Sequence, residues 1–206
     1  MKTNNLHLLA QKFSKQLQPI SVFLMDVDGI LTNGIIYYSG NEIGFNRFFH
    51  AHDGYILKVL QSAGINVGVI SGGDSIGLRK RVEILNLDPN FVFLGNEDKR
   101  EAFIEVTKRA KCTSENILYM GDELFDIPLL KRAGFSATVP NASQEVKDAV
   151  DYVTFRSGGD GAVREVADIL RYAKGIYPLV PDFADLKDLQ DLKDLKDFNS
   201  DEHKTI

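Results

Sequence analysis

Apolar residues along this chain follow two rhythms. Short uninterrupted runs fall at residues 22–25, 67–70, 91–94, 117–120 and 137–139, with a shorter one at 152–154. Between them lie longer stretches, at 55–63, 75–86, 99–110, 127–133, 143–150 and 161–173, whose apolar positions recur at three- and four-residue spacing. An apolar run with nothing polar on either side reads as a strand buried on both faces, and such strands belong to parallel sheets covered by helices. The alternation therefore predicts an α/β fold, a doubly wound, Rossmann-like parallel sheet. Ahead of the first run, Leu6, Leu9, Ala10, Phe13 and Leu17 sit at helical spacing. Residues 1–19 are expected to form one N-terminal helix that Pro19 ends.

Two segments break the alternation. Between the first strand and its helix, the β-prone runs 35–38 and 43–49 flank the turn-like Ser39-Gly40-Asn41-Glu42. This predicts a β-hairpin over residues 34–50 projecting from the core, with Tyr37, Tyr38, Phe48 and Phe49 packing along it. Such an apolar hairpin needs a surface to cover it, in its own domain or in another subunit. The second segment is the tail 176–206, where Leu186, Leu189, Leu192 and Leu195 recur every third residue in an Asp-Leu-Lys/Gln repeat. At 100° per residue that stripe slips by about 60° each step and holds no single helix face, so a solvated, flexible tail is expected. Residues 20–175 remain as one core domain.

Composition narrows the classes of function. A length of 206 residues with 44% hydrophobic content suits one domain with a sizeable core. The net charge of −5 and the lack of a Lys/Arg block argue against a nucleic-acid partner. No apolar run approaches the ~20 residues of a membrane span, and the N-terminus lacks the apolar core of a signal peptide, so a cytoplasmic location is expected. The single cysteine, Cys112, has no histidine or cationic setting in its "AKCTSEN" surroundings and reads as structural.

The chemistry lies where the strands end. In open α/β sheets ligands gather at the carboxyl ends of the parallel strands. The first strand ends in Asp26-Val27-Asp28-Gly29, the second in Ser71-Gly72-Gly73-Asp74, and the fourth in Gly121-Asp122-Glu123-Leu124-Phe125-Asp126, while Lys99 opens the helix before that fourth strand. Four carboxylates, a hydroxyl and an ammonium are thus expected at one edge. Such a cluster demands counter-charge, from Lys99 and from a hard divalent cation that takes oxygen ligands, for which Mg2+ is the natural choice. An ionised carboxylate in that company is poised to attack phosphorus, and a second one two residues on can protonate the leaving alcohol. Asp26 is the expected nucleophile and Asp28 the expected general acid, then base.

These residues carry a resemblance. DVDGILT is similar to the DxDGxxT/V signature of the haloacid dehalogenase superfamily of phosphohydrolases, and Ser71, Lys99 and Gly121-Asp122-x-x-x-Asp126 resemble its later motifs in the expected order. The resemblance implies Mg2+ held by the Asp26 carboxylate, the Asp28 backbone carbonyl and Asp122, with Asp126 in support, and a phosphate held by Ser71, Lys99 and the amides near Gly29 and Gly72. Only 42 residues separate Asp28 from Ser71 and 27 separate Ser71 from Lys99, so no cap domain fits. The stretches "AHDGYILKVLQSAGINVGVISGG", "GDELFDIPLLKRAGFSATVPNAS" and "VDYVTFRSGGDGAVREV" extend the resemblance to the capless branch that includes the 3-deoxy-D-manno-octulosonate 8-phosphate phosphatases. It implies hydrolysis of a phosphorylated 3-deoxy-2-keto sugar acid used for lipopolysaccharide, and a homotetramer assembled through the hairpins.

Departures from that pattern bear on the substrate. Many relatives carry arginine directly after the Ser/Thr-Gly of the second motif, where it can pair with the sugar acid's carboxylate; Gly73 stands here. Arg79, Arg81 and Lys80 are the candidates to take over anion recognition, and His52 in "HAHDG" is a candidate to face the substrate. The missing arginine keeps a nine-carbon, sialic-acid-type 9-phosphate substrate as the alternative. A non-catalytic module that binds a protein through hairpin or tail is the alternative of another class. Asp74 and Asp126 read as helix caps, with Pro128 just inside the second helix, and the glycine-rich loop 157–161 reads as a turn.

Overall fold

The computed structural model describes residues 5–180. Its centre is a six-stranded, wholly parallel sheet. The strands are β1 (Val22–Met25), β4 (Asn66–Ser71), β5 (Val92–Leu94), β6 (Ile117–Met120), β7 (Phe135–Thr138) and β8 (Tyr152–Val153), in the spatial order β5-β4-β1-β6-β7-β8. The chain runs outward from β1 on one side, crosses back, and runs outward on the other, so the order reverses between β1 and β6. That is the doubly wound arrangement, and its crevice lies beyond the carboxyl ends of those two strands. Both are apolar throughout and buried throughout, "VFLM" and "ILYM", because helices cover both faces.

The helices are α1 (Leu6–Lys12), α2 (Ser14–Leu17), α3 (Ala51–Ser62), α4 (Ile76–Ile84), α5 (Arg100–Ala110), α6 (Ile127–Leu130), α7 (Gln144–Lys147) and α8 (Ala162–Lys174). Of these, α1 and α3 both pack on α8, whose buried stripe includes Val163, Val166, Ile169 and Leu170. α5 packs against β4, α6 packs against β6 and β7, and the two helices pack on one another.

The expected single N-terminal helix is two. The break falls at Phe13 (φ −97°, ψ 11°), whose buried ring meets Phe135 and Tyr152 edge-on at centroid distances of 5.1 and 6.0 Å. Anchoring that ring in the core outweighs continuing the helix. The cap assignments change as well. Ser75, not Asp74, caps α4 by accepting from the Leu78 amide, and Asp74 instead pairs with Arg79. No cap domain interrupts the core: only the hairpin and α3 separate β1 from β4.

The hairpin pairs β2 (Tyr37–Tyr38) with β3 (Phe45–Asn46) antiparallel. Its regular part is shorter than the predicted runs. Tyr37 stacks on Phe48 and Tyr38 meets Phe45 edge-on, while Ile35, Tyr38, Phe45 and Phe48 stay exposed. Among the described residues no helix is long and apolar enough to cross a membrane. The Asp-Leu-Lys repeat lies outside the described residues.

Candidate active site

β1 extends one residue past its last ladder position through the Asp26 amide, which donates to the Met120 carbonyl at 2.8 Å. The chain then closes a single wide turn, with the Thr32 amide donating to the Val27 carbonyl at 3.0 Å. Gly29 makes this turn possible at φ +96°. A Cβ built there would lie 1.9 Å from Asp122 Oδ2, so glycine is required both by conformation and by the close approach of β6's loop. Gly29→Ala is expected to destabilise the chain by about 2 kcal/mol or more in urea unfolding; a loss within about 0.5 kcal/mol would mean that the turn relocates freely.

The glycine-rich loop 157–161 supports this turn from below. The Gly159 amide donates to the Ile30 carbonyl at 3.1 Å, and a Cβ on Gly158 would lie 1.7 Å from the Gly29 carbonyl oxygen. What reads as a simple turn in the sequence is a buttress of the site.

Asp26, Asp122 and Asp126 each offer a carboxylate oxygen within 4.8 Å of the others. Lys99 stands among them, fully buried, with Nζ 3.0 Å from Asp26 Oδ1 and 2.7 Å from Asp126 Oδ1. Asp126 stands at the N-cap position of α6, but its side chain makes no capping hydrogen bond to that helix. Its Oδ1 also accepts from the Tyr119 hydroxyl at 2.7 Å, and its Oδ2 accepts from the amides of Asp122 and Glu123, both at 3.1 Å. It therefore ties Lys99 to the 121–126 loop. Asp26 Oδ1 accepts from the Val27 amide at 2.7 Å. Asp122 Oδ1 is buried with no hydrogen-bond partner, which is costly for a carboxylate unless a cation takes it.

Electrostatics follow from this crowding. Burial, with Asp126 adding repulsion, outweighs the Lys99 counter-charge and pushes Asp26 up to about 7. Burial, then Asp26 and Asp126, pushes Asp122 up to about 7 as well. One ammonium cannot balance three acids. A carboxyl with a higher pKa folded than unfolded binds protons on folding. Its contribution is complete below the unfolded value of about 4 and is lost as pH climbs through about 7. In chelator, the thermal midpoint is therefore expected to fall between about pH 5 and pH 8, and a divalent cation to remove much of that slope. A midpoint that rose with pH in chelator would contradict this.

A cavity of about 480 Å3 opens over the cluster, lined by Asp26, Asp28, Ser71, Gly72, Gly73 and Asp122 among others. Ser71, the last residue of β4, is buried and accepts from the Gly73 amide through Oγ at 3.1 Å. The structure thus brings Asp26, Asp28, Ser71, Gly72, Lys99, Asp122 and Asp126 to one rim. It does not bring the other four candidates there. Lys80 is exposed and pairs with Glu83. Arg79 is exposed and pairs with Asp74. Arg81 turns inward, donating to the His50 carbonyl at 3.3 Å with its guanidinium over the Phe49 ring. His52 lines a different cavity, beside Phe155, Arg156 and Arg164.

Arg47 takes a place that sequence reasoning did not foresee. It follows directly on β3 and pairs with both Asp28 oxygens, Nε with Oδ1 and Nη2 with Oδ2 at 2.7 Å. The available signal was sparse: from Ile30 to Phe49 the only charged residues are Glu42 and Arg47. Cys112 is free, and burial pushes its thiol up, away from nucleophilic reactivity.

Comparison with known proteins places this geometry among others. Residues 86–166 match the family model of haloacid dehalogenase-like hydrolases. The chain is 38% identical over 161 residues to the 3-deoxy-D-manno-octulosonate 8-phosphate phosphatase of Haemophilus influenzae, covering 78% of this chain and 88% of that protein. The Escherichia coli K12 phosphatase of the same name is 34% identical over 156 residues, covering 76% and 81%. Among solved structures, that of the Moraxella catarrhalis 3-deoxy-D-manno-octulosonate 8-phosphate phosphatase, in complex with a magnesium ion, a phosphate ion and a KDO molecule, superimposes with a TM-score of 0.75 at 33% identity, over 80% of this chain and 93% of that one.

Proposed function

The chain belongs to the haloacid dehalogenase-like hydrolases, among the 3-deoxy-D-manno-octulosonate 8-phosphate phosphatases, and on that premise we propose that it is a Mg2+-dependent phosphomonoesterase acting on 3-deoxy-D-manno-octulosonate 8-phosphate in the cytoplasm, through an aspartyl-phosphate. The observation that carries the reading is the meeting of Asp26, Asp122 and Asp126 around one buried lysine at the switch point of the sheet.

The residues suit a hard divalent cation: all donors are oxygens, and Asp122 Oδ1 is buried without a partner. Asp26, Asp122 and the Asp28 backbone carbonyl would hold Mg2+, while Asp126, whose oxygens are both engaged, would orient the loop. Bound there, Mg2+ would offset the negative charge of the carboxylates and of the phosphoryl oxygens.

In this mechanism Lys99 favours the ionised form of Asp26 against the burial that opposes it and helps to receive the phosphoryl oxygens, with the Ser71 hydroxyl and the amides after it. A carboxylate oxygen of Asp26 forms a bond to phosphorus as the bond to the sugar oxygen breaks, and Asp28 delivers a proton to that oxygen. Asp28 then takes a proton from water as the water attacks phosphorus, which releases phosphate and restores Asp26.

Parallel turnover assays on the eight-carbon sugar acid phosphate, a nine-carbon analogue and a neutral sugar phosphate test the reading. The eight-carbon substrate is expected to lead by about tenfold or more in kcat/KM; equal slow rates on all three would defeat it. Association of four copies through the hairpin belongs to the same proposal, supported by the exposed Ile35, Ile36, Tyr38, Phe45 and Phe48. Light scattering is expected to give a tetramer, and a monomer would refute that part.

A further inference from the structure

Arg47 belongs to the hairpin, yet its side chain is almost wholly buried in the site. Its guanidinium spans Asp28 through Nε and Nη2, and Nη1 donates to Ser75 Oγ at 2.9 Å. It also fills the space into which a side chain at position 73 would grow, since a Cβ on Gly73 would lie 2.7 Å from Nη2. Five acids line the same cavity, Asp26, Asp28, Glu97, Asp122 and Glu123. Lys99, the other cation at this rim, is already shared between Asp26 and Asp126. An anionic phosphoester must nevertheless settle against these acids. Among the described residues, Arg47 is the only guanidinium lining the cavity, and its planar fork suits two oxygens of one anion.

The geometry points to Arg47 as the residue that recognises an anionic group of the substrate, exchanging the Asp28 carboxylate for substrate oxygens. This rests on the phosphatase reading above. The exchange leaves no buried cation unpaired, because one anion replaces another on the same fork. It also frees Asp28: while both of its oxygens face Arg47, the carboxyl is held away from a leaving group, and the arriving anion releases it. The anion is either the phosphoryl group or a carboxylate of the sugar.

The test uses the full-length, Mg2+-loaded protein and the variants Arg47→Gln and Arg47→Lys. KM is measured for the eight-carbon sugar acid phosphate and for a neutral hexose phosphate, and binding of inorganic phosphate is measured by calorimetry. Arg47→Gln is expected to raise KM for the sugar acid phosphate by about ten- to a hundredfold, with Arg47→Lys in between. A rise confined to the sugar acid phosphate assigns the carboxylate as the anion. An equal rise on both substrates, with phosphate binding weakened by the same factor, assigns the phosphoryl group. KM values and phosphate affinity unchanged within about twofold, whatever happens to kcat, overturn the proposal. Thermal midpoints establish that the variants fold; if Arg47→Gln does not, Arg47→Lys, which keeps the charge and loses the fork, is read by the same criteria. A wild-type protein that turns over neither substrate defeats the phosphatase reading, while the phosphate titration still tests Arg47.

Discussion

Asparagine at position 26 is expected to lower phosphate release by about ten-thousandfold or more and to leave the chain folded. The amide is close in size to the carboxylate but has no anionic oxygen to offer phosphorus. The effect on stability should have the opposite sign. Asp26 is one of three acids around a single buried ammonium, and its burial and its neighbour Asp126 push it up to about 7. Above that pH its charge is held against repulsion. In chelator at about pH 8 the variant is therefore expected to melt at the same temperature as the wild type or higher. Phosphate release and scanning calorimetry on one preparation check both halves. Turnover above about one per cent of wild type would remove Asp26 from the nucleophile's role, and a collapse of the thermal midpoint would make its role structural.

Methionine at position 99 is expected to have the largest effect on stability, about 3–5 kcal/mol lost at about pH 8, with turnover lost as well. Methionine roughly matches the volume of the lysine stem, so packing is largely kept and the change isolates the charge. Lys99 Nζ lies between Asp26 and Asp126 with no exposure of its side chain. Without it, two buried carboxylates face one another with no counter-charge between them. The pKa of Asp26, already raised by burial, would rise further, so the loss should shrink as pH falls to about 5 and that acid takes up a proton. Urea unfolding at the two pH values gives the answer. A loss of equal size at both would show that packing, not charge, is at stake. Combining Lys99→Met with Asp26→Asn should cost less than Lys99→Met alone, because one of the stranded charges is gone.

The two halves of the site were legible to different degrees. β1 and β6 end where their apolar runs end, because a strand covered on both faces leaves no polar position to blur its limits. Asp26, Asp28, Ser71, Lys99, Asp122 and Asp126 stand out in the sequence because parallel strands deliver their last residues to one edge, whatever the loops do. Helix limits were less sharp. The predicted 143–150 narrows to Gln144–Lys147, and Phe13 breaks the first helix for the sake of a distant aromatic cluster.

Side-chain partnerships beyond the strand ends lay outside what a linear reading reaches. Arg81 and Arg79 sit on one short helix and looked equivalent as anion binders, yet one turns inward to lie over the Phe49 ring and the other pairs with Asp74 at the surface. Asp126 followed the pattern of a cap and became the anchor of Lys99. Arg47 looked like one more hairpin residue and reaches Asp28, 19 positions earlier, while Asp53 accepts from the Arg164 amide across 111 positions. Alternation and helical spacing are local properties, written in neighbouring residues, and they set the strands, the winding of the sheet and the edge where its acids gather. A buried charge takes whichever partner the packed layers bring within about 3 Å, and that depends on how elements far apart in the chain come to rest against one another.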